Sequence, residues 1–139
     1  MTDWIRSLGP SGCPDDLGPL QLAWLGDAVW EMHQRLRFCS KPAKARDLHL
    51  SVVALVKAES QAFALDVTDI YLTDLEKEYV KRGRNRVGRG SRKVNIAIYG
   101  KATGFETLIG WLFLKDPMRL AELLDQLEQF ESKRLNDYK

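Results

Sequence analysis

Cysteine and histidine are scarce in this 139-residue chain, with two of each: Cys13 and Cys39, His33 and His49. Two thiols cannot build a disulfide framework, and nothing here has the tight spacing of a zinc motif. All four are expected as ordinary side chains, the cysteines unpaired. No apolar run approaches the roughly 18–20 residues a membrane span needs. Residues 1–19 lack the basic-then-apolar order of a secretory leader. These absences lead us to expect a cytoplasmic protein with no membrane partner, or an organellar one if a transit segment has been removed. Internal repeats and low-complexity tracts are missing too. Strand signals are confined to Val52–Val53 and Val94–Ile98, neither of which alternates cleanly.

What is present is a single domain's worth of helical pattern and one concentrated charge. Net charge is only +2, yet the stretch from Lys81 to Lys93 holds Lys81, Arg82, Arg84, Arg86, Arg89, Arg92 and Lys93 with no acid. The rest of the chain carries 14 basic against 19 acidic residues. A short cationic stretch on an acidic body points to a polyanion docking at one place.

The helical reading has these bounds. Residues 1–18, rich in Gly and Pro, form an irregular lead-in. Helices are expected over about 19–36, 51–65 (with Ser51 as a cap), 74–84 (capped by Thr73), 98–115 and 117–133, with a short turn near 43–48. A basic loop fills 81–97. The fold class is all-α, five to seven helices in one domain over 1–139.

Two helices are odd. Along Leu20 to Leu36, Leu22, Leu25, Val29, Met32 and Leu36 make one apolar stripe. The other side carries Leu20, Ala23, Trp24 and Ala28, with Asp27 and Glu31 among them. A helix apolar on both sides is covered on both, by its own domain or by a partner. Asp27 then sits among apolar neighbours, where a carboxylate is costly unless paired or bound to a cation. Glu106 repeats the pattern, with Ala102, Ile109 and Phe113 on one side and Tyr99, Thr103 and Gly110 on the other. Taken singly, each acid also fits a structural carboxylate held by an Arg, a Lys or a helix cap. Together with the cationic loop they suggest a nuclease. Carboxylates ligate Mg²⁺, such an ion activates water and neutralises phosphate charge, and Arg and Lys hold the nucleic-acid backbone.

At these residues the chain resembles a known family. Leu22-Ala23-Trp24-Leu25-Gly26-Asp27-Ala28-Val29-Trp30-Glu31 is similar to the signature helix of ribonuclease III, and Phe105-Glu106-Thr107-Leu108-Ile109-Gly110 to its second block. The resemblance covers roughly residues 20–129. Long members carry two further acids, at the places held here by Ala23 and Thr103, and a C-terminal RNA-binding domain, which is not expected for a chain of this length. Both departures, with Lys81-Arg82-Gly83-Arg84-Asn85 and the pattern from Tyr99 to Glu106, resemble the short branch called Mini-ribonuclease III.

The resemblance implies an all-α endonuclease homodimer that cuts double-stranded RNA with Mg²⁺, Mn²⁺ substituting, to 5′-phosphate and 3′-hydroxyl ends. It also implies maturation of large-subunit (23S) ribosomal RNA precursor. Asp27 and Glu106 are the implied catalytic and metal-binding residues. Glu31 and Thr103 are candidates for supporting them, Glu31 otherwise being a surface acid paired with Arg35. Lys101 reads as surface. Lys81, Arg82, Arg84, Asn85, Arg86, Arg89, Arg92 and Lys93 are expected to contact RNA. The rival readings are a non-catalytic RNA-binding protein on the same fold and a helical interaction module.

Overall fold

A computed structural model describes residues 1–10, 12–87 and 95–137, with the side chains of 54–56 and 134–137 set aside. Among the described residues the chain is all-α, with no strand. Seven helices follow in order: α1 (Asp3–Arg6), α2 (Pro19–Phe38), α3 (Ala45–Val56), α4 (Ala58–Thr68), α5 (Asp74–Asn85), α6 (Ile96–Lys115) and α7 (Pro117–Asp137). Short 3₁₀ turns cover Pro14–Asp16 and Asp69–Tyr71.

α6 is the central element. Ala102, Gly104, Phe105, Leu108, Ile109, Trp111 and Leu112 are all buried along it, because α2, α4, α5 and α7 pack around it. An α-helix apolar on nearly every side needs such a shell. The core joins these residues to Leu22, Val29 and Trp30 of α2, Tyr79 and Val80 of α5, and Leu120, Leu124 and Leu127 of α7. Trp30 meets Phe105 edge-on, with ring centroids 5.2 Å apart.

Several expected boundaries move. The lead-in is not wholly irregular: Asp3–Arg6 is helical, and Ile5 is fully buried. Thr2 and Arg6 bond the Asp125 carboxylate of α7, which holds this segment down. The expected helix from Ser51 to Leu65 is two helices that break at Lys57, whose ψ of 152° is extended. Ser51 is inside α3, where its hydroxyl bonds back to the Asp47 carbonyl, and so is not a cap. Val52–Val53 is helical and not strand. α5 ends at Asn85, within a residue of the expected bound, so Lys81, Arg82, Arg84 and Asn85, also counted in the basic loop from 81, are helical. α6 likewise starts earlier than expected, at Ile96.

Thr73 does cap α5. Its hydroxyl accepts from the Glu76 N–H at 3.2 Å, and the Glu76 carboxylate accepts from the Thr73 N–H at 2.9 Å. That carboxylate also takes a two-pronged bond from Arg119 of α7, at 2.8 and 2.9 Å. Burial alone raises the Glu76 pKa, but Arg119 and the cap outweigh it and hold it below the usual carboxylate value.

Candidate active site

Glycine brings the two odd helices together. A Cβ on Gly26 would overlap the Glu106 carbonyl, and one on Gly110 would overlap the Leu22 carbonyl. No side chain fits at either place, so α2 and α6 cross backbone to backbone. Asp27 follows Gly26 directly, and this crossing sets its carboxylate within hydrogen-bonding reach of Glu106.

The pair is electrostatically uncomfortable. Burial pushes the Glu106 pKa up to about 8, and the neighbouring charge of Asp27 and the hydrogen bond between the two carboxyls add to it. Two acids placed so that both cannot easily ionise make a site that a cation would relieve. The expectation that Asp27 is buried does not hold: Asp27 is exposed and Glu106 is half-buried. Met32 and Leu36, expected in the core stripe of α2, are exposed at 48% and 38%. The core side of α2 instead includes Trp30, His33 and Gln34. His33 earns its burial by facing Glu128 of α7 at 3.0 Å.

Ala23 is buried and supplies no ligand, and Thr103 is half-buried, two residues from Phe105 on α6. The Thr103 carbonyl accepts from the Thr107 hydroxyl at 2.7 Å. Glu31 accepts from Arg35 at 2.8 Å, one turn along α2. Lys101 pairs with Asp66 at 2.9 Å on the surface. Among the described residues no group of three or more His, Cys, Asp or Glu gathers to hold a metal, so the donors here are two carboxylates. Such a set matches Mg²⁺, which takes one or two carboxylates and keeps several waters.

The start of the cationic segment is fixed to α6, the helix that carries Glu106, by a second glycine crossing. A Cβ on Gly83 would overlap the Thr107 hydroxyl, and one on Gly104 would press on Val80 and the stem of Arg84. α5 therefore runs antiparallel against the N-terminal half of α6, with Lys81, Arg82, Arg84, Asn85 and Arg86 exposed at its end. Arg89, Arg92 and Lys93 lie outside the described residues.

One arrangement escaped the sequence. The Arg82 guanidinium sits 4.8 Å from the Tyr79 ring centroid, and Tyr79 stacks on Trp111 at 4.2 Å and 17°. Asp15 accepts from the Trp111 indole N–H at 3.2 Å and the Tyr79 hydroxyl at 3.4 Å. The indole bond is the largest influence on the Asp15 pKa, which lies below the ordinary value. The spacing of Tyr79 and Arg82, one turn apart, was the available signal; nothing local points to Asp15.

The comparisons give the family and the fold. A family model described as the ribonuclease III domain matches residues 20–117. A Mini-ribonuclease 3 from a Synechocystis species is 46% identical over 90% of this chain and 89% of its own. One from Gloeobacter violaceus is 42% identical over 79% and 82%. A crystal structure of a Fusobacterium nucleatum protein superposes with a TM-score of 0.74 at 26% identity, covering 86% of this chain and 96% of that one.

Proposed function

The chain belongs to the ribonuclease III family, in its Mini-ribonuclease 3 branch, and is an endoribonuclease specific for double-stranded RNA; on that premise we propose that it cuts with Mg²⁺ held by Asp27 and Glu106. The observation that carries the reading is the crossing only glycine permits, which packs Gly26 on the Glu106 backbone and brings Asp27 near enough to raise the Glu106 pKa. A bound Mg²⁺ supplies charge neutralisation and a water of lowered pKa, with Mn²⁺ able to substitute. Attack of water at phosphorus with loss of the 3′-oxygen leaves a 5′-phosphate and a 3′-hydroxyl.

The chain's own groups do the rest. Glu106 would hold such an ion as its carboxylate, and so would have to lose the proton that a pKa of about 8 leaves on it at neutral pH. The Thr103 hydroxyl, one turn before Glu106 where long members have an acid, would be placed to hold a water of such an ion. Glu31 stays with Arg35 as a supporting group. Lys81, Arg82, Arg84, Asn85 and Arg86 grip the RNA backbone, joined by Arg89, Arg92 and Lys93. An A-form duplex offers phosphates and 2′-hydroxyls more readily than base edges, which suits such a surface.

The active form is a homodimer. Leu20, Trp24, Met32 and Leu36 are exposed apolar side chains along α2, Trp24 at 79%. A stripe of this kind on one helix calls for a covering surface, and a two-fold axis would set one carboxylate pair against each strand. The proposed substrate is large-subunit (23S) ribosomal RNA precursor in the cytoplasm, as the resemblance implies.

The test uses long double-stranded RNA with and without Mg²⁺. Cleavage by the parent that needs the ion, and its loss in Asp27→Asn and Glu106→Gln with circular dichroism unchanged, is the expected result. Cleavage that survives Asp27→Asn removes the assignment of the site.

A further inference from the structure

Tyr99 is a large aromatic side chain that nothing described so far uses. It lies in the first turn of α6, 49% exposed. Among the described residues no group donates to or accepts from its hydroxyl. Its position is particular. Tyr99, Thr103 and Glu106 are spaced four and three apart, so they share one face of α6. Tyr99 stands two turns before Glu106, about 10 Å along the axis. The cationic end of α5 lies alongside: a Cβ on Gly100 would stand 4.0 Å from the Arg84 carbonyl. Tyr99 thus lies on the Glu106 face of α6, one residue from the place where the basic end of α5 meets that helix.

We propose that Tyr99 binds the sugar–phosphate backbone of the strand being cut, a short distance from the scissile phosphate, and so sets that strand's register over Asp27 and Glu106. This rests on the nuclease reading above. A duplex gripped at the end of α5 and cut at Glu106 must cross the face between them, and Tyr99 is the exposed group there that can hydrogen-bond. A phenol both donates and accepts, as does a ribose 2′-hydroxyl, and it can also donate to a phosphate oxygen. Being uncharged, it adds positioning without adding to the salt dependence that Arg and Lys contribute.

The experiment is steady-state cleavage of a defined RNA duplex by the parent, Tyr99→Phe and Tyr99→Leu. The duplex is also made with single 2′-deoxy substitutions at successive nucleotides beside the cut. We expect KM to rise about fivefold in Tyr99→Phe, the scale of one lost hydrogen bond. The rise in Tyr99→Leu should be larger, with kcat changed less than KM in both. If the ribose is the contact, one deoxy substitution weakens the parent but not Tyr99→Phe; if a phosphate is, every deoxy substitution affects the two equally. Either pattern supports the proposal. Parental KM in both variants overturns it, and so does a changed sedimentation coefficient accounting for the loss. A parent that leaves duplex RNA uncut removes the nuclease reading itself, and this inference with it, whereas parental cleavage with unaffected variants removes only this inference.

Discussion

Glu106 is where charge, burial and function meet. Its carboxyl has a pKa near 8 in the folded protein against 4.5 ordinarily. Between those values the folded chain keeps a proton that the unfolded chain has lost. The stability of the metal-free protein therefore falls as pH rises from about 4.5 to about 8 and levels off beyond. Urea titrations across that range in chelator should show the decline in the parent and a flatter profile in Glu106→Gln. A parallel profile in the two would place the strain elsewhere. The same proton must leave when a cation binds. Calorimetric titration with Mg²⁺ at pH 7 in buffers of different ionisation enthalpy should report release of about one proton per site. Gly26 is the second critical residue. Gly26→Ala drives a methyl into the Glu106 backbone. The expected cost is about 3 kcal/mol of stability, read by urea denaturation, with cleavage lost even under conditions where the fold persists. A Gly26→Ala protein of parental stability would mean that the helices cross differently.

Among the elements, α5 has two jobs at its two ends. Its start is fastened: the Thr73 and Glu76 capping box shares its carboxylate with Arg119, so one acid ties the helix to α7. The Glu76 side chain is only 4% exposed. Glu76→Gln leaves Arg119 with Glu122, at 3.2 Å, as its remaining counter-charge and breaks the charged bond between α5 and α7, which should cost about 2 kcal/mol by urea denaturation. Its end is cationic and is fixed to α6, the helix that carries Glu106. If Arg82 and Arg84 contact phosphates, Arg82→Ala and Arg84→Ala should each reduce the slope of log affinity against log salt by about 1 for duplex RNA. An unchanged slope in both would move RNA contact to other residues. The capping signal was plain in the sequence, because it is local and obeys a fixed spacing of three. The far end was read as helix to about Arg84 running into a basic loop, with Gly83 counted as a source of flexibility. In the fold Gly83 is instead the point where α5 closes on α6.

Over the whole molecule, the exposed face of α2 is the feature that one protomer leaves unexplained. Trp24 is 79% exposed one turn before Asp27 and Ala28. If that face meets a second copy, Trp24→Glu should give a monomer by analytical ultracentrifugation without loss of helicity, since the side chain packs little within its own protomer. Cleavage of both strands at one place should be lost with the dimer. A Trp24→Glu protein that stays dimeric would show that the partner sits elsewhere.

The sequence by itself determined the fold class, most of the helices, the Thr73 cap and the two acids in their family blocks. Helical periodicity and short motifs are local, so they are legible residue by residue. It also marked Gly26 and Gly110 within those blocks, but not what they do, because a close crossing is a relation between two segments far apart in the chain. Only the tertiary structure decided that Asp27 meets Glu106 and that burial and mutual charge raise the Glu106 pKa. The same holds for the side of α2 that faces the core. The sequence showed two apolar stripes on that helix, and the fold divides both: Leu22, Val29 and Ala23 are buried, whereas Met32, Leu36, Leu20 and Trp24 are exposed. Arg82 over Tyr79, and Asp15 beneath the Tyr79–Trp111 stack, were likewise settled by packing between segments as distant as residues 15 and 111.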